Sequence, residues 1–335
     1  MAWRVPIVWL RIQAIVAVLL IAFSQLFASP GFAEPPGRSM RVVGYLPDYR
    51  FDQFDAGALE GVTDVIIFSA EPREDGSLDL GRLKHCPWEK LKDLRAQKGV
   101  RLMLAIGGWG RSGHFARIAT AEDDRRKFAE ATVRLAVALQ LDGIDLDWEH
   151  PRGIIEEEAY GRLLSDLSEK CRQESLWVSV TIAGWQRLPP PAIEAVNAVH
   201  VMAYDHPGEH ATIDGARKDV AALISAGVPA AKLILGVPFY GRDVETREAT
   251  AYRDLVATFA PASDIDRVEA IFFNGPQTIR QKVEYASKSG LGGVMVWELG
   301  QDAAGERSLL AVIRSVISQK VDQGRSQRIG AACGK

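Results

Sequence analysis

A short segment of the chain carries four carboxyl groups within eight residues, at Asp142, Asp145, Asp147 and Glu149. Hydrophobic residues alternate with the last three acids, which is typical of a buried strand. Because side chains alternate between the two faces of a strand, Asp145, Asp147 and Glu149 would point to one side. Like charges in one row cannot all ionise easily, so the row retains a proton. The sequence therefore predicts that Glu149 is a general acid. Asp142 lies three residues before Asp145, outside the two-residue alternation, and is predicted to anchor the start of the strand.

The alternative is an acidic surface segment without chemistry. The chain contains 43 acidic residues among 335, so a cluster of this kind can arise by chance. A surface segment would, however, lack the alternating hydrophobic residues and Gly143 near its start. The pattern favours the buried strand, provided that other strands bring suitable residues to the same place.

Hydrophobic segments of strand length recur along the chain and alternate with segments of helical periodicity. Together with the strand that carries the acids they give eight predicted strands, the other seven being residues 41–45, 62–68, 100–106, 176–182, 198–204, 233–238 and 293–297. The predicted helices include residues 87–94, 121–140, 155–172, 278–289 and 307–318. Strands that alternate with helices in this way predict an α/β protein, a single (β/α)₈ TIM barrel.

In such a barrel the chemistry takes place at the carboxyl ends of the strands. Glu149 ends the fourth predicted strand, and other polar or aromatic residues lie at or just past strand ends: Tyr45, Trp109, Tyr204, Asp205, Tyr240, Arg242, Trp297 and Glu298. A single aromatic residue at such a position more often packs at the rim than contacts a ligand. Several around one opening favour a sugar site, because aromatic rings bind the apolar faces of sugars.

The segment that holds the acids reads DGIDLDWEHP and resembles the DxxDxDxE signature of glycoside hydrolase family 18, the chitinase family. Four more segments resemble family motifs in the expected order. They are residues 104–109 for the SxGG motif of strand three, with Ala105 in the serine position, 202–205 for the MxYD motif of strand six, and 236–242 and 293–298 for strands seven and eight. Five matches in order are strongly specific. The resemblance implies a TIM barrel with the acids on its fourth strand.

The resemblance also implies a reaction and the roles of four residues. The reaction is hydrolysis of β-1,4 bonds in N-acetylglucosamine polymers with retention, in which the 2-acetamido group of the substrate is the nucleophile. Glu149 would be the acid and then the base, and Asp147 would bind the acetamido N–H. Asp145 would share a proton with Asp147, and Tyr204 would bind the acetamido oxygen. Neither a cofactor nor a metal is implied.

Six further residues are implied as contacts of the substrate or supports of the acids. Trp297 would form the floor beneath the distorted sugar, and Trp109 would form a platform on the leaving-group side. Ala105 lacks the hydroxyl that can support Asp145 in relatives, which leaves that support to Tyr45. Contacts with the sugar are expected from three more residues, Asp205, Tyr240 and Arg242.

Other interpretations of the same site stay open at this point. An endo-β-N-acetylglucosaminidase, or a hydrolase of cell-wall or cortex glycans, would use the same residues with another groove. A non-catalytic chitin-binding lectin on the same barrel is a different class of protein, but such relatives typically lose the acid at the position of Glu149. The expected partner is chitin, a chito-oligosaccharide or another glycan containing N-acetylglucosamine, bound by a monomer.

The first residues have the layout of a secretory signal peptide. Arg4 and Arg11 precede a hydrophobic run over residues 12–27, and small residues follow at Gly31 and Ala33. We expect cleavage after residue 33, with a secreted or periplasmic protein that does not stay associated with a membrane. An uncleaved anchor is the alternative, because the run is near the lower limit for a span. The remaining predicted segments are a linker at 34–39, the catalytic barrel at 40–320 and a polar tail at 321–335.

Charge, cysteine content and length argue against other classes of protein. The formal net charge is −3 and no basic block occurs, which argues against a nucleic-acid partner. Cys86, Cys171 and Cys333 allow one disulfide bond at most and lack the spacing of a metal site. Only 49 residues, 243–291, separate the motifs of strands seven and eight. That is too few for the large α+β insertion domain of larger chitinases, so we expect a shallower, more open cleft.

Overall fold

Eight parallel strands close into a barrel in the computed structural model, which describes residues 40–319. Numbered in chain order, the strands of the described residues are β1 (Arg41–Pro47), β2 (Asp64–Pro72), β3 (Leu78–Asp79), β4 (Arg101–Gly107), β5 (Gly143–Asp147), β6 (Trp177–Ala183), β7 (Ala198–Met202), β8 (Leu233–Pro238), β9 (Tyr240–Asp243), β10 (Ala249–Ala251), β11 (Arg267–Val268), β12 (Ile271–Phe272) and β13 (Gly293–Trp297). The barrel uses β1, β2, β4 to β8 and β13, and it closes because β1 pairs with both β2 and β13. The predicted (β/α)₈ barrel is confirmed.

Helices connect the barrel strands and cover the outside of the sheet. They are α1 (Trp88–Lys98), α2 (Phe115–Thr120), α3 (Glu122–Ala138), α4 (Gly153–Gln173), α5 (Pro190–Ala195), α6 (Ile213–Ser225), α7 (Tyr252–Phe259), α8 (Pro276–Lys288) and α9 (residues 309–319). Gly99 ends α1 in the left-handed conformation, with φ 65°, and Pro276 begins α8, where its missing N–H would have no helical partner. Short 3₁₀ helices lie at Asp48–Gln53, Ala56–Leu59, Gly81–His85, Ala230–Lys232, Leu299–Gln301 and Gly305–Arg307.

The side chains of β5 divide between two layers, as the alternation predicted. Ile144 and Leu146 pack in the hydrophobic layer between strands and helices. Asp145 and Asp147 therefore point into the barrel, whose interior is filled by residues such as Met103. This strand thus delivers its carboxyl groups to the inside of the barrel.

Trp148, which follows β5, faces the helices, in keeping with the alternation of hydrophobic residues and acids in this segment. Its ring centroid lies 5.6 Å from that of Phe115 on α2 and 5.2 Å from that of Tyr160 on α4. The Tyr160 hydroxyl donates to the carbonyl oxygen of Leu146 at 3.1 Å. These contacts fix the backbone of β5 from the outside while its acids face inward.

The amino ends of the strands hold a bottom ion cluster of Arg41, Asp64 and Arg101. Asp64 Oδ1 lies 2.7 Å from Arg41 Nη2 and 2.6 Å from Arg101 Nε. Both guanidinium groups also lie against the ring of Trp177, at 4.6 and 4.3 Å from its centroid. Burial opposes the ionisation of Asp64, but the two arginines outweigh it and lower its pKa. The negative charge of Asp64 is therefore compensated within the cluster by the two arginines.

A small α+β layer connects β8 to β13. Strands β9 to β12 form an antiparallel sheet in the order β10-β9-β12-β11, and α7 lies between β10 and β11. Its strands are only two to four residues long. This segment is a reduced layer rather than the large insertion domain, as predicted, and its first strand carries Tyr240 and Arg242 to the site.

The two ends of the chain lie outside the described residues. This applies to the predicted signal peptide (1–33), linker (34–39) and tail (321–335), and to Cys333. Cys86 and Cys171 are buried free thiols. Within residues 40–319, no helix combines the length and apolar character that crossing a membrane requires.

Candidate active site

A cavity of about 810 Å³ opens at the carboxyl ends of the barrel strands. Nine of the ten predicted site residues line it: Tyr45, Trp109, Asp147, Glu149, Tyr204, Asp205, Tyr240, Arg242 and Trp297. The tenth, Asp145, is hydrogen-bonded to one of the nine, Tyr45, at 2.8 Å. The barrel thus brings together residues that lie far apart in the chain.

Asp145 is fully buried and accepts hydrogen bonds from three hydroxyl groups. Ser179 Oγ lies at 2.5 Å, the Tyr45 hydroxyl at 2.8 Å and Thr181 Oγ1 at 2.9 Å. Burial raises the pKa of Asp145 to about 6, although the three hydroxyls counteract it. In the sheet Asp145 pairs with Ala105 on one side and with Ser179 on the other. The support that Ala105 cannot give therefore comes from Tyr45, as predicted, and also from β6.

His200 of β7 completes the network around Asp145. Its Nδ1 lies 3.0 Å from the Tyr45 hydroxyl and 3.4 Å from Asp145 Oδ1. Burial lowers the pKa of His200 to about 3, and the positive charges of Arg41 and Arg101 act in the same direction. The imidazole is therefore neutral at physiological pH, and the groups that hold Asp145 here are uncharged.

Asp147 lies in the cavity and is only 2% exposed. Its Oδ1 has no hydrogen-bond partner among residues 40–319. Burial raises its pKa well above the usual range, and the charges of Glu149 and Asp145 raise it further. Asp147 therefore holds a proton more readily than an ordinary aspartate, and it has an oxygen free to accept a hydrogen bond.

Glu149 lies two residues past the end of β5, with its carboxyl group on the cavity. Burial raises its pKa to about 7; the backbone N–H of Trp109 lowers it and the charge of Asp205 raises it. The row of acids predicted that like charges keep a proton on Glu149, but burial is the larger cause of its raised pKa. A carboxyl group with this pKa can give and take a proton near neutral pH.

The end of β4 holds the backbone of the acidic segment in place. The N–H of Gly108 donates to the carbonyl oxygen of Asp147 at 2.6 Å. A Cβ on Gly107, whose φ is 99°, would collide with that same carbonyl oxygen. Ser112 Oγ accepts from the N–H of Glu149 at 3.1 Å and donates to the carbonyl oxygen of Gly108 at 3.0 Å. Gly107 and Gly108 therefore allow the end of β4 to lie close to the backbone of Asp147. Ser112 then holds the backbone of Glu149 in place.

Residues after β7 and on β9 form another part of the cavity wall. Asp205 accepts from the Tyr240 hydroxyl at 2.8 Å and from Arg242 Nη2 at 2.7 Å. Burial opposes its ionisation, but the hydrogen bonds, led by that of Arg242, lower the pKa of Asp205 below its usual range. The Tyr204 hydroxyl lies 3.9 Å from Met295 Sδ, and burial raises its pKa well above the usual value. Tyr204 therefore presents a neutral hydroxyl donor to the cavity.

Aromatic rings line the cavity in two different ways. Trp297 is held by edge contacts, with ring centroids 4.8 Å from Phe68 and 5.6 Å from Tyr45. Trp109 and Trp185, by contrast, are 76% and 66% exposed. The ring of Trp297 is thus part of the packed floor of the cavity, whereas the rings of Trp109 and Trp185 are largely exposed at its edge.

Asp142 does not belong to the site. Its Oδ2 accepts from the N–H of Leu102 at 2.9 Å, and its Oδ1 pairs with Arg95 at 2.6 Å. It therefore anchors the start of β5, as the phase of the pattern predicted.

Six residues described at the site were not predicted from the sequence: Ser112, His150, Ser179, Thr181, Trp185 and His200. Ser179 and Thr181 are two residues apart in a hydrophobic strand, which is the same spacing as that of Asp145 and Asp147, so this signal was available. Ser112 and Trp185 lie in loops, where the spacing of residues does not indicate which way a side chain points. Their positions depend on tertiary contacts that a sequence pattern does not contain.

The arrangement is suited to moving a proton onto and off a bound molecule. Glu149 can donate a proton, Asp147 lies beside it with a raised pKa, and Tyr204 offers a hydroxyl, while aromatic rings supply apolar surface for a sugar. Among residues 40–319, no group of histidine, cysteine and acidic side chains could hold a metal ion.

Comparisons with known proteins point to one family. The sequence profile described as Glycosyl hydrolases family 18 matches residues 41–302. Chitinase 1 of Aphanocladium album is 26% identical over 276 residues, which cover 65% of each chain. Endochitinase 1 of Metarhizium robertsii is 26% identical over 275 residues, which cover 64% of this chain and 65% of the relative. This chain therefore spans about 65% of the length of these curated relatives.

A solved structure is similar over most of both chains. It is the crystal structure of a family 18 chitinase from the chitin utilization locus of Flavobacterium johnsoniae, with a TM-score of 0.74 and 26% sequence identity. The match covers 84% of this chain and 95% of the other.

Proposed function

The chain belongs to glycosyl hydrolases family 18, and from this premise we propose that it is a chitinase-like hydrolase of β-1,4-linked N-acetylglucosamine. The names of its relatives, Chitinase 1 and Endochitinase 1, support this class of substrate. The observation that carries the proposal is the row of Asp145, Asp147 and Glu149, of which Asp147 and Glu149 line a cavity that Tyr204 also lines.

The first proposed step breaks the bond between two sugars. Glu149 donates its proton to the bridging oxygen, and the bond from that oxygen to the anomeric carbon breaks. The acetamido oxygen of the same sugar forms a bond to the anomeric carbon, which gives a positively charged oxazolinium ring. Asp147 accepts a hydrogen bond from the acetamido N–H, and Tyr204 donates one to the acetamido oxygen before it attacks.

The second proposed step returns the protein to its starting state. The Glu149 carboxylate takes a proton from water while the water oxygen attacks the anomeric carbon. The bond to the acetamido oxygen breaks, so two inversions retain the configuration. The pKa of about 7 suits Glu149 for both steps, because neither protonation state is strongly disfavoured near neutral pH.

Asp145 acts on the reaction through Asp147. Its charge raises the pKa of Asp147, and the hydroxyls of Tyr45, Ser179 and Thr181 hold it in one orientation. We place it as a positioning group that shares a proton with Asp147 as Glu149 changes charge. Trp297 would support the sugar that reacts, since its ring is fixed by Phe68.

Replacing Glu149 with Gln tests the proposal. Turnover of soluble chito-oligosaccharides should fall by about 10² to 10⁴-fold, because the amide cannot donate the proton. Binding of the same oligosaccharides, measured by calorimetry, should persist. Glu130→Gln, on α3 and outside the cavity, is the matched control and should keep full turnover. Undiminished turnover by Glu149→Gln would contradict the proposal.

A substrate screen separates this proposal from its alternatives. Wild-type protein would be assayed on chitin oligomers, N-glycans and peptidoglycan. Turnover of N-glycans or peptidoglycan alone would favour the endo-β-N-acetylglucosaminidase or the wall hydrolase. Binding of chitin oligomers with no turnover of any substrate would favour the lectin.

The proposed location is outside the cytoplasm, in a secreted or periplasmic form. The support is the signal-peptide pattern of residues 1–33. The mature amino terminus, read by Edman degradation or mass spectrometry, should be Glu34. An intact Met1 on the exported protein would contradict cleavage.

A further inference from the structure

Arg111 lies in the loop between β4 and α2, and its charged side chain is largely buried. The side chain is 11% exposed, and that of its partner Asp48 is 15% exposed. Taking two charges out of water is costly unless their geometry is good. No step of the proposed mechanism uses either residue, although Arg111 lines the cavity.

The guanidinium group of Arg111 joins the ends of three barrel strands. Its Nη2 donates to Asp48 Oδ1 at 2.7 Å, just past β1, and its Nη1 donates to Ser69 Oγ at 3.1 Å, on β2. Ser69, which is fully buried, donates in turn to the carbonyl oxygen of Gly107 at the end of β4, at 2.7 Å. The planar fork of an arginine suits two acceptors at once, which the ammonium group of a lysine does not match.

The same guanidinium group also lies against the floor of the cavity. Its Cζ is 4.8 Å from the ring centroid of Phe68, within the range of a cation–π contact. The ring of Phe68 contacts Trp297, and it also lies so close to Gly108 that a Cβ there would come within 2.2 Å of it. Arg111 is therefore held by packing as well as by hydrogen bonds.

The loop that carries Arg111 contacts Glu149 at two points. Ser112 Oγ accepts from the N–H of Glu149 at 3.1 Å, and the backbone N–H of Trp109 donates to its carboxyl group. Two glycines of the same loop have φ of 101° and 73°, and glycine has little conformational preference of its own. Without an anchor, residues 108–112 would therefore gain other conformations.

We infer that Arg111 is a positioning residue, which fixes residues 108–112 and thereby holds the carboxyl group of Glu149 in place for proton transfer. This rests on the proposed function, in which Glu149 is the acid and then the base. Loss of the anchor would leave the carboxyl group present but less well aligned, and a misplacement of about 1 Å can cost about 10²-fold in rate. Arg111 therefore acts on kcat rather than on KM.

Replacing Arg111 with Gln tests this inference, with chitin hexasaccharide as the substrate. The kcat should fall by about 10- to 100-fold, whereas KM should change by less than about threefold. The limb of the pH profile that reports Glu149 should move to higher pH, because the Trp109 N–H that lowers its pKa is displaced. An arginine that only bound the substrate would raise KM instead.

Arg82→Gln is the matched control, because Arg82 pairs with the same aspartate from outside the loop. Its Nη1 lies 3.5 Å from Asp48 Oδ2, and its side chain is 50% exposed. The kcat and the pH profile of this variant should match wild type.

Asp48→Ala removes an acceptor of Arg111 without changing a residue that lines the cavity. It should lower kcat by about three- to tenfold, because the hydrogen bond to Ser69 remains. The double variant with Arg111→Gln should be no slower than Arg111→Gln alone, since both changes break the same anchor.

Hydrogen exchange of the backbone amides of residues 108–112, measured by mass spectrometry, is a readout independent of turnover. Exchange should be faster in Arg111→Gln than in wild type and unchanged in Arg82→Gln. If Arg111→Gln does not fold, Ser69→Ala removes one hydrogen bond of the anchor and should show the same changes on a smaller scale.

The outcomes distinguish the inference from the proposed function. Wild-type turnover with unchanged kcat in Arg111→Gln, with a change in KM alone, or with an equal fall of kcat in Arg82→Gln would overturn the inference alone. No wild-type turnover of the hexasaccharide would overturn the proposed function, while faster exchange in Arg111→Gln would still support the anchored loop. A fall of kcat together with the shift of the pH profile would support both.

Discussion

Asp64 and Asp147 are buried carboxyl groups at opposite ends of the same barrel, and they differ in the charges around them. Asp64 lies between Arg41 and Arg101, at 2.7 and 2.6 Å. Asp147 has Asp145 and Glu149 as its charged neighbours. Burial alone would raise the pKa of either group. The arginines reverse this effect for Asp64, whereas the acids add to it for Asp147.

This difference separates a group that stabilises the barrel from one that is ready for proton transfer. A carboxylate between two cations stays ionised and holds strands together, and removal of one partner leaves a buried charge unpaired. A carboxyl group among other acids keeps a proton that small changes can move. Two similarly buried carboxyl groups therefore have pKa values shifted in opposite directions, and the charges of their neighbours determine the direction.

The largest expected effect is on turnover, at the upper end of the barrel. Asp147→Asn should lower kcat by about 10² to 10⁴-fold, because the amide alters the hydrogen bond to the acetamide and the charge balance of the row. The melting temperature should stay the same or rise, since the amide cannot add a negative charge to the buried row. A melting temperature lowered by many degrees would show that Asp147 is structural, as Asp64 is.

The next effect is on stability, at the lower end. Asp64→Asn leaves Arg41 and Arg101 without their buried anion and should lower the free energy of unfolding by about 3–5 kcal/mol. Denaturant unfolding measures this loss. Turnover per folded molecule at low temperature should match wild type, because the bottom ion cluster is outside the cavity. Unchanged stability would remove the contrast between the two ends.

A change of pH should affect the two ends in opposite directions. The pKa of Glu149 rises from 4.5 to about 7 on folding, so the folded protein binds more protons between these values. Its contribution therefore makes the free energy of unfolding fall as pH rises from about 4.5 to about 7. The lowered pKa of Asp64 acts the other way, and its contribution is lost as pH falls below the usual 3.8.

Glu149→Gln is the control for this pH effect, since the amide does not titrate. The melting temperature of the variant, relative to wild type, should increase between pH 5 and pH 7. A constant difference over this range would show that burial does not raise the pKa of Glu149.

The smallest expected effect concerns the hydroxyls that hold Asp145. Ser179→Ala should lower kcat/KM by about three- to tenfold and raise the pKa of Asp145, because one donor to the carboxylate is lost. Ala105→Ser in the same protein should restore part of the loss, since Ala105 and Ser179 pair with Asp145 from its two sides. The pH profile of kcat/KM is the second readout. If kcat/KM of the double variant equals that of Ser179→Ala, a hydroxyl at position 105 does not replace the hydroxyl of Ser179.

The fold was predictable where hydrophobic runs end abruptly. The predicted bounds 233–238 and 293–297 coincide with β8 and β13. The second strand was predicted at 62–68 but extends over Asp64–Pro72, because its end pairs with β3 in an antiparallel ladder. That extension depends on a partner strand rather than on periodicity, so the pattern of residues could not show it.

The site was predictable where residues share a strand or follow a strand end. The alternation of Asp145 and Asp147 gave their common direction, and the barrel brought Tyr204 and Trp297 to the same cavity. The spacing of Ser179 and Thr181 indicated a shared face, but their contact with Asp145 depends on the register of β5 against β6, which one sequence does not supply.

The pairing of β1 with β13 joins Arg41 to Gly293, near opposite ends of the described chain. While the barrel folds, the second edge of the first strand therefore stays uncovered until the last strand joins it. Until then its unpaired backbone groups can pair with those of another nascent chain. Closure of the barrel thus depends on its last strand, and a chain that ends before Gly293 would leave one edge of the first strand uncovered.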